Sequence, residues 1–276
     1  MSKLYDKLSS IIEYEPDKEE EIKTDKLCNN LRVTANVLRV VINLLGIATI
    51  CCIFADIIWV FWVFMIFTAT SLILFSRYRK KSAFQITNLL NECEINKALT
   101  AYMVLAKYDK GEIKKAASLL TNVALMLFYL GKRQEAKDVA AVIGKYCDTP
   151  DGNGGRISVL AMIAGYEKDL EAVKNCISEM EALRAGKKTP YTTAAYEIIS
   201  QYPLIIDAEE RGDYAKALEL LPIKEEYPIL KQVNINYRLH KIAVAAGMEE
   251  EAAKHREYVV EKGGDTFYKS ELEAFN

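Results

Sequence analysis

From Val40 to Phe75 the chain reads VVINLLGIATICCIFADIIWVFWVFMIFTATSLILF, and Asp56 is the only formal charge in that stretch. A run of more than about 18 apolar residues is long enough to cross a membrane. As one helix, these residues (about 36 of them) would be roughly 54 Å long, whereas the hydrocarbon core is only about 30 Å thick. The length therefore predicts two membrane spans, Leu38 to Phe54 and Ile57 to Phe75, with Asp56 in the turn between them.

The charges that flank this stretch predict its orientation. Before it come Lys23, Lys26, Arg32 and Arg39, and after it comes the basic run Arg77-Tyr-Arg-Lys-Lys81. Because positive residues favour the cytoplasmic side, both ends are expected there, which requires an even number of spans. The prediction is a multi-pass plasma-membrane protein with both termini cytoplasmic. A single tilted span or a re-entrant segment stays open, because Phe54 to Ile57 contains no Gly or Pro for a tight reversal.

The sequence predicts three regions: a cytosolic segment at 1–36, a transmembrane helical hairpin at 37–81 and a cytosolic helical domain at 82–276. In the first, a short amphipathic helix is formed by Leu4, Tyr5, Leu8, Ile11 and Ile12. It could dock on the chain's own helical domain or lie at the membrane surface. The periodicity of the third region is helical almost throughout, beginning with one helix from about Phe84 to Lys107.

A short element recurs in the third region. A Gly with an Ala five residues later occurs at Gly131–Ala136, Gly212–Ala217 and Gly247–Ala252, and Glu167–Ala172 takes the same place with Glu instead of Gly. The steps between them are 36, 45 and 35 residues, which is the range of helical repeat arrays. A Gly can end the first helix in a left-handed conformation, and a small Ala lets the second helix cross closely.

This element resembles the turn of the tetratricopeptide repeat, whose Gly-Asp-Tyr-x-x-Ala pattern is matched by Gly212 to Ala217. The resemblance covers about Ser118 to Val260. It implies an all-α array with a groove, lined by the first helix of each pair, that binds a peptide or a partner helix. The groove positions that it implies are Thr121, Leu125, Phe128, Tyr202, Ile206, Asn234, Tyr237 and Lys241. The alternative is that these residues pack the interior of a closed helical domain.

The remaining composition excludes several functions. The 36 basic and 38 acidic residues give a net charge of −2, which argues against nucleic-acid binding. The six cysteines have neither metal-site nor disulfide spacing; Cys51 and Cys52 lie in the apolar run, and the other four are expected to be reduced. The two histidines, His240 and His255, have no partners at catalytic or ligand spacing, so no enzyme activity, metal or cofactor is predicted. The stretch Asp151 to Arg156 lacks the marks of a phosphate or calcium loop and is predicted to be a flexible connection.

Three functions are compatible with these observations. The first is a membrane-anchored scaffold or adaptor that binds a protein or peptide in its groove at the cytoplasmic face. The second is an accessory subunit of a transport or pore assembly that works through its hairpin, with Arg39, Asn43 and Asp56 as polar contacts. The third is an enzyme of the membrane surface, for which the sequence offers no catalytic arrangement. The first is the principal prediction, with the lipid bilayer as the second partner.

Overall fold

The computed structural model of the chain describes residues 2–54, 58–109 and 111–274, with side chains at 2–47, 62–78, 80, 83–109 and 111–274. Within these ranges all regular structure is helical, so the predicted all-α class is confirmed. The helices are α1 (Lys3–Ser9), α2 (Lys18–Phe54), α3 (Ile58–Asn91), α4 (Ile95–Tyr108), α5 (Ala117–Tyr129), α6 (Arg133–Tyr146), α7 (Pro150–Glu167), α8 (Leu170–Gly186), α9 (Pro190–Ile199), α10 (Tyr202–Arg211), α11 (Tyr214–Leu220), α12 (Ile229–Ala245), α13 (Glu249–Lys262) and α14 (Phe267–Ala274).

The chain divides into two compact units. One, here called the long-helix unit, is Lys18–Asn88 and contains α2 and most of α3. The other, here called the helical domain, joins Met1–Asp17 to Leu89–Asn276 and contains the remaining helices. The N-terminal segment with α1 is therefore part of the same unit as the C-terminal helices.

The long-helix unit exposes large apolar side chains along both of its helices. On α2, Val37, Val40, Leu44 and Ile47 are each more than half exposed. On α3 the same holds for Trp62, Val63, Ile66, Phe67, Ile73 and Leu74. Exposed apolar surface on this scale marks contact with a membrane or with another protein.

One helical segment among the described residues, Lys18–Ile47, is long and apolar enough to cross a membrane. The second predicted span, Ile57 to Phe75, begins at a residue outside the described ranges. The predicted turn at Asp56 also lies outside them. The two-span hairpin and the side on which the termini lie therefore stay predictions.

Five helix-to-helix turns in the helical domain share one backbone geometry. Each contains a residue with φ between 56° and 78°, namely Cys93, Gly131, Lys168, Gly212 and Gly247. The residue after it donates its N–H to the carbonyl five positions earlier, as Lys132 does to Leu127 at 2.9 Å. Five positions after the left-handed residue stands a buried side chain, which is Ala98, Ala136, Val173, Ala217 or Ala252. The steps of 38, 37, 44 and 35 residues are compatible with a helical repeat.

These turns join helices that pack as pairs, and the pairs pack on one another. Contacts join α5 to α6, α7 to α8, α10 to α11 and α12 to α13, while α5 also packs on α7 and α10 on α12. The longest step contains the additional helix α9, which packs on α7 and α8. Pro203, at the start of α10, has no N–H to continue a helix across Ser200 and Gln201, so α9 and α10 are separate. Helix α11 ends at Leu220, two residues before Pro222, whose ring disfavours a helical conformation at the residue before it.

One of the four predicted turns is placed one residue too early by the sequence pattern. The left-handed residue is Lys168 and not Glu167, with a φ of 56°. The reason is the cap of the next helix, because the Asp169 carboxylate accepts the N–H of Ala172 at 2.9 Å and so fixes Asp169 as the residue before α8. Asp213 holds the corresponding place before α11.

The predicted continuous helix from Phe84 to Lys107 is interrupted. Helix α3 ends at Asn91, Cys93 is left-handed, and α4 begins at Ile95. The interruption is stabilised from the other end of the chain, because the Asp265 carboxylate accepts the N–H groups of Ile95 at 2.6 Å and Asn96 at 2.7 Å. A cap that comes from 170 residues away leaves no local signal in the sequence.

The stretch Asp151 to Arg156, predicted as a flexible connection, is the first part of α7. Thr149 caps this helix by accepting the N–H of Gly152 at 3.1 Å, and Pro150 follows at the first helical position. A Cβ at Gly155 would overlap the Thr121 side chain, so this Gly allows close packing of α7 on α5. The glycines therefore serve helix packing and do not form a loop.

The N-terminal helix docks on the helical domain. Leu4, Leu8 and Ile12 are buried, and α1 packs on α4. The Ser2 hydroxyl donates to the Ala106 carbonyl, and the N–H of Asp17 donates to Thr100 Oγ1 at 3.0 Å. Of the two alternatives for this amphipathic helix, the structure supports docking on the chain's own domain.

Candidate functional site

A cavity of about 860 Å³ lies among the first helices of the pairs in the helical domain. Helices α5, α7, α10 and α12 all contribute to it, and α9 and the segment 219–228 complete its walls. We call this cavity the groove. Its apolar lining includes Leu125, Met162, Ile198, Ile205, Leu230 and Ile235, and its polar lining includes Asn91, Ser158, Gln201, Asn234 and Arg238.

Three of the eight positions implied by the repeat resemblance line the groove. They are Leu125 on α5, Tyr202 on α10 and Asn234 on α12, and each is partly buried. The ring of Tyr202 lies against Gly165 of α7, where an added Cβ would come within 3.1 Å of it. The Asn234 side chain accepts the Arg238 Nε–H at 3.3 Å. The binding role of these residues stays a prediction.

Four further positions, Thr121, Phe128, Ile206 and Tyr237, are buried in the helical core. Thr121 packs on Gly155, and Ile206 belongs to a cluster with Ala164 and Val173. For these four the structure agrees with the alternative interpretation, in which they pack the interior of the domain.

An aromatic cluster surrounds Phe128 and Tyr237 and includes the C-terminal helix. The Phe267 ring of α14 lies 5.4 Å from the Phe128 ring centroid and 4.9 Å from that of Tyr166. The Glu271 carboxylate accepts the hydroxyls of Tyr166 and Tyr237, and burial, with this carboxylate as a smaller cause, raises the pKa of Tyr166 to about 12. This cluster closes the end of the domain by tying α14 to α5, α7 and α12.

Lys241, the last of the eight positions, lies beside this aromatic cluster and is partly buried. Its Nζ stands 5.3 Å from the ring centroids of Tyr166 and Tyr237 and 4.0 Å from a Glu209 carboxylate oxygen. Lys241 therefore already has an aromatic and an acidic partner within the domain.

Sequence reasoning missed a buried cation at the groove, Arg238. Only 8 % of it is exposed, and its guanidinium carbon lies 5.5 Å from the Tyr202 ring centroid. A signal was present, because Asn234, Arg238 and Lys241 are spaced four and three residues apart and so share one face of α12. The repeat resemblance selected the first and last of these and passed over the middle one.

The two histidines are integrated into helix packing. His240 Nδ1 lies 2.8 Å from the Ala252 carbonyl oxygen. His255 is buried, with Nδ1 2.7 Å from Asn236 Oδ1 and Nε2 2.7 Å from the Tyr214 hydroxyl. Burial lowers the pKa of His255, so the neutral ring is favoured in the folded domain.

No protein-family model, curated protein or solved structure matches this chain. The case for a function therefore depends on the geometry of the groove and on the exposed apolar surface of the long-helix unit.

Proposed function

We propose that the chain is a membrane-anchored protein interaction module, whose helical domain is a tetratricopeptide-like array that binds a peptide or partner helix in the groove. The observation that carries the proposal is the groove itself. It is built from the first helices of successive pairs, the same surface that repeat arrays use for binding, and it combines apolar walls with a few polar groups. Ile198 is 58 % exposed within it, which is apolar surface available to a ligand.

The membrane part of the proposal is supported by the exposed apolar residues of α2 and α3. We propose that Leu38 to Phe54 and Ile57 to Phe75 form a two-span hairpin with its turn at Asp56. The basic residues on both flanks support placing both termini and the helical domain on the cytoplasmic side. Tethering of this kind raises the local concentration of the groove near membrane-bound partners.

The binding function is tested by filling the groove. Ala194 lines the groove and is exposed, so Ala194→Trp adds bulk there without disturbing the core. Ala253 is an exposed Ala on α13 outside the groove, and Ala253→Trp is the matched control. Purified full-length protein in detergent is immobilised and exposed to a random octapeptide pool, and retained peptides are counted by mass spectrometry. The proposal expects the wild type and Ala253→Trp to retain peptides and Ala194→Trp to lose them; equal retention by all three contradicts it.

A second candidate function uses the long-helix unit. Arg39 and Asn43 are exposed one helical turn apart on the apolar helix α2, where polar side chains could contact another membrane subunit. Under this candidate, a membrane partner is captured by cross-linking to the wild type. The double variant Arg39→Leu with Asn43→Leu should no longer capture it, whereas Ala194→Trp should still capture it. The groove proposal expects the reverse pattern.

A further inference from the structure

Arg238 is a buried cation without a carboxylate partner. Although only 8 % of it is exposed, no carboxylate of the described residues lies within ion-pair distance of its guanidinium. Some other arginines of the domain do have such partners, since Arg133 lies 3.2 Å from Glu271 and Arg211 lies 2.9 Å from Asp207. A buried charge is costly unless it is paired, so a cation held in this way marks a place where an anion can be bound.

The contacts that Arg238 does make hold it at the groove wall and leave donors free. Its Nε–H donates to Asn234 Oδ1 at 3.3 Å, and the guanidinium carbon lies 5.5 Å from the Tyr202 ring centroid. Among the described residues, no hydrogen bond engages its two terminal nitrogens, and both keep some solvent exposure. A guanidinium that is fixed through Nε presents those nitrogens as a planar pair of donors, which is the geometry that a carboxylate accepts.

The groups around Arg238 reinforce its preference for an anion. Burial raises the pKa of Tyr129 and of Tyr202. The nearby Arg238 opposes this shift, but its effect is smaller, so both pKa values remain raised. Both hydroxyls therefore stay neutral and can donate hydrogen bonds. The acids that line the groove, Glu197 and Glu219, are exposed, and Glu219 is paired with Lys216 at 2.6 Å.

The rest of the groove lining distinguishes a peptide from a lipid. Apolar side chains such as Met162, Ile198 and Ile205 can contact either the apolar side chains of a peptide or the acyl chain of a lipid. The amide side chains of Asn91, Gln201 and Asn234 also face the groove, and they match the hydrogen-bonding groups of a peptide backbone. A fatty acid chain offers these amides no hydrogen-bonding groups, so burying them against it would be costly.

We propose that the groove binds a peptide segment in which a carboxylate side chain is flanked by apolar residues, with the carboxylate held by Arg238. This inference rests on the proposed function of the groove and adds the chemistry of its ligand. It makes Arg238 the residue that selects acidic over neutral peptides.

The test compares two octapeptide pools that differ at one fixed central position, which is Glu in one pool and Gln in the other. Fluorescein-labelled pools are titrated into full-length protein in detergent, and binding is followed by polarisation. A charge-assisted pair with Arg238 predicts a preference for the Glu pool of about tenfold or more. Arg238→Gln is expected to abolish the preference, Arg238→Lys to retain part of it, and the exposed control Arg211→Gln to leave it unchanged.

Each outcome separates this inference from the proposed function. Equal binding of both pools to the wild type overturns the role of Arg238 and leaves the groove as a peptide site. Binding of neither pool overturns the proposed function. Stoichiometric binding of radiolabelled oleate, without binding of the Glu pool, shows that the carboxylate comes from a lipid and overturns the peptide assignment.

A stability measurement on the unliganded protein gives a second test that does not depend on the peptides. If Arg238 is kept for binding, Arg238→Met removes an unpaired buried charge and leaves the melting temperature unchanged or higher. If Arg238 serves only to hold Asn234 and Tyr202, the same change lowers the melting temperature, and the inference fails.

Discussion

The long-helix unit and the helical domain are both rich in apolar residues, but they place them differently. In the helical domain, side chains such as Leu99, Phe128 and Ile143 are at most 1 % exposed. In the long-helix unit, Leu44 and Ile66 are 60 % and 65 % exposed. The hydrophobic effect favours removing apolar surface from water in either case, so the exposed apolar surface of the long-helix unit is expected to contact a membrane or another protein. The contrast teaches that composition alone does not tell a helix of a protein core from a helix with an exposed apolar surface. The fraction of its apolar side chains that the rest of the chain buries does distinguish them.

The largest expected difference is between two phenylalanines, one in each unit. Phe128 is buried in the aromatic cluster, so Phe128→Ala should lower the free energy of unfolding of the helical domain by roughly 3–5 kcal/mol. Phe67 on α3 is 56 % exposed, and Phe67→Ala should change the same quantity by less than about 0.5 kcal/mol. Chemical unfolding of the wild type and of both variants in detergent measures the two changes in the free energy of unfolding. Similar losses for both variants would remove the contrast between the units.

The next largest effect concerns membrane insertion. Leu44 is exposed on α2, inside the segment that is long and apolar enough to cross a membrane. A Lys at the centre of a span costs about 2.5–3.5 kcal/mol on insertion scales, so Leu44→Lys should move protein from the membrane fraction to the soluble fraction. Leu218, an exposed Leu on α11 of the helical domain, provides the control Leu218→Lys, which should leave the distribution unchanged. An unchanged distribution for Leu44→Lys would argue that α2 does not enter the bilayer.

A smaller effect is expected at glycines of the two units. Gly212 has a φ of +64°, and an added Cβ would lie 3.0 Å from the Ala246 nitrogen, so Gly212→Ala combines backbone strain with a close contact. The strain alone costs roughly 1–2 kcal/mol. Gly247, with a φ of +70° and no atom within 4 Å of an added Cβ, should show the strain by itself. Gly46 on α2 also has nothing within 4 Å, and Gly46→Ala should be neutral or stabilising. The melting temperatures should fall in the order Gly46→Ala, Gly247→Ala, Gly212→Ala, and any other order would contradict the packing described.

The smallest expected effect is a pH dependence of the helical domain. Burial lowers the pKa of His255 from its ordinary value of 6.5, while Glu251 opposes the shift. Between the lowered pKa and 6.5 the unfolded chain binds more protons than the folded one, so the free energy of unfolding should decrease as the pH falls below about 6.5. His255→Gln keeps an amide near Asn236 and Tyr214 but does not titrate, so its stability should depend less on pH in that window. The comparison is made by urea unfolding at several pH values, with His240→Gln as the control, and an unchanged slope in His255→Gln would exclude this histidine as the cause.

Local signals in the sequence were sufficient for much of the fold. The turns at Gly131, Gly212 and Gly247 follow from a Gly that can be left-handed and an Ala that can be buried, and both features are visible in the sequence. The turn at Cys93 could not be predicted, because Asp265 stabilises it from the far end of the chain. The role of Gly155 in α7 could not be predicted for a similar reason, since it depends on the close approach of Thr121.

The candidate site was less accessible to prediction than the fold. A repeat pattern fixes which helix faces the groove, but the burial of a particular side chain depends on its tertiary neighbours. Phe128 and Tyr237 are covered because α14 supplies Phe267 to their cluster. The significance of Arg238 is that no carboxylate of the described residues pairs with it, which depends on how the helices pack and not on α12 alone.

The central claim, an interaction domain held at the cytoplasmic face by two membrane spans, is tested most directly by thiol labelling in intact cells. The native Cys28, Cys93, Cys147 and Cys176 are buried, so with Cys51→Ala and Cys52→Ala the labelling of the native chain by an impermeant reagent should be low. Single cysteines are then introduced by Lys3→Cys, Asp56→Cys and Lys174→Cys, of which the first and last replace exposed lysines of the helical domain. The account predicts that only the cysteine at position 56 is labelled from outside and that all three are labelled after permeabilisation. Labelling of the cysteines at positions 3 and 174 in intact cells would place the helical domain outside and contradict the account.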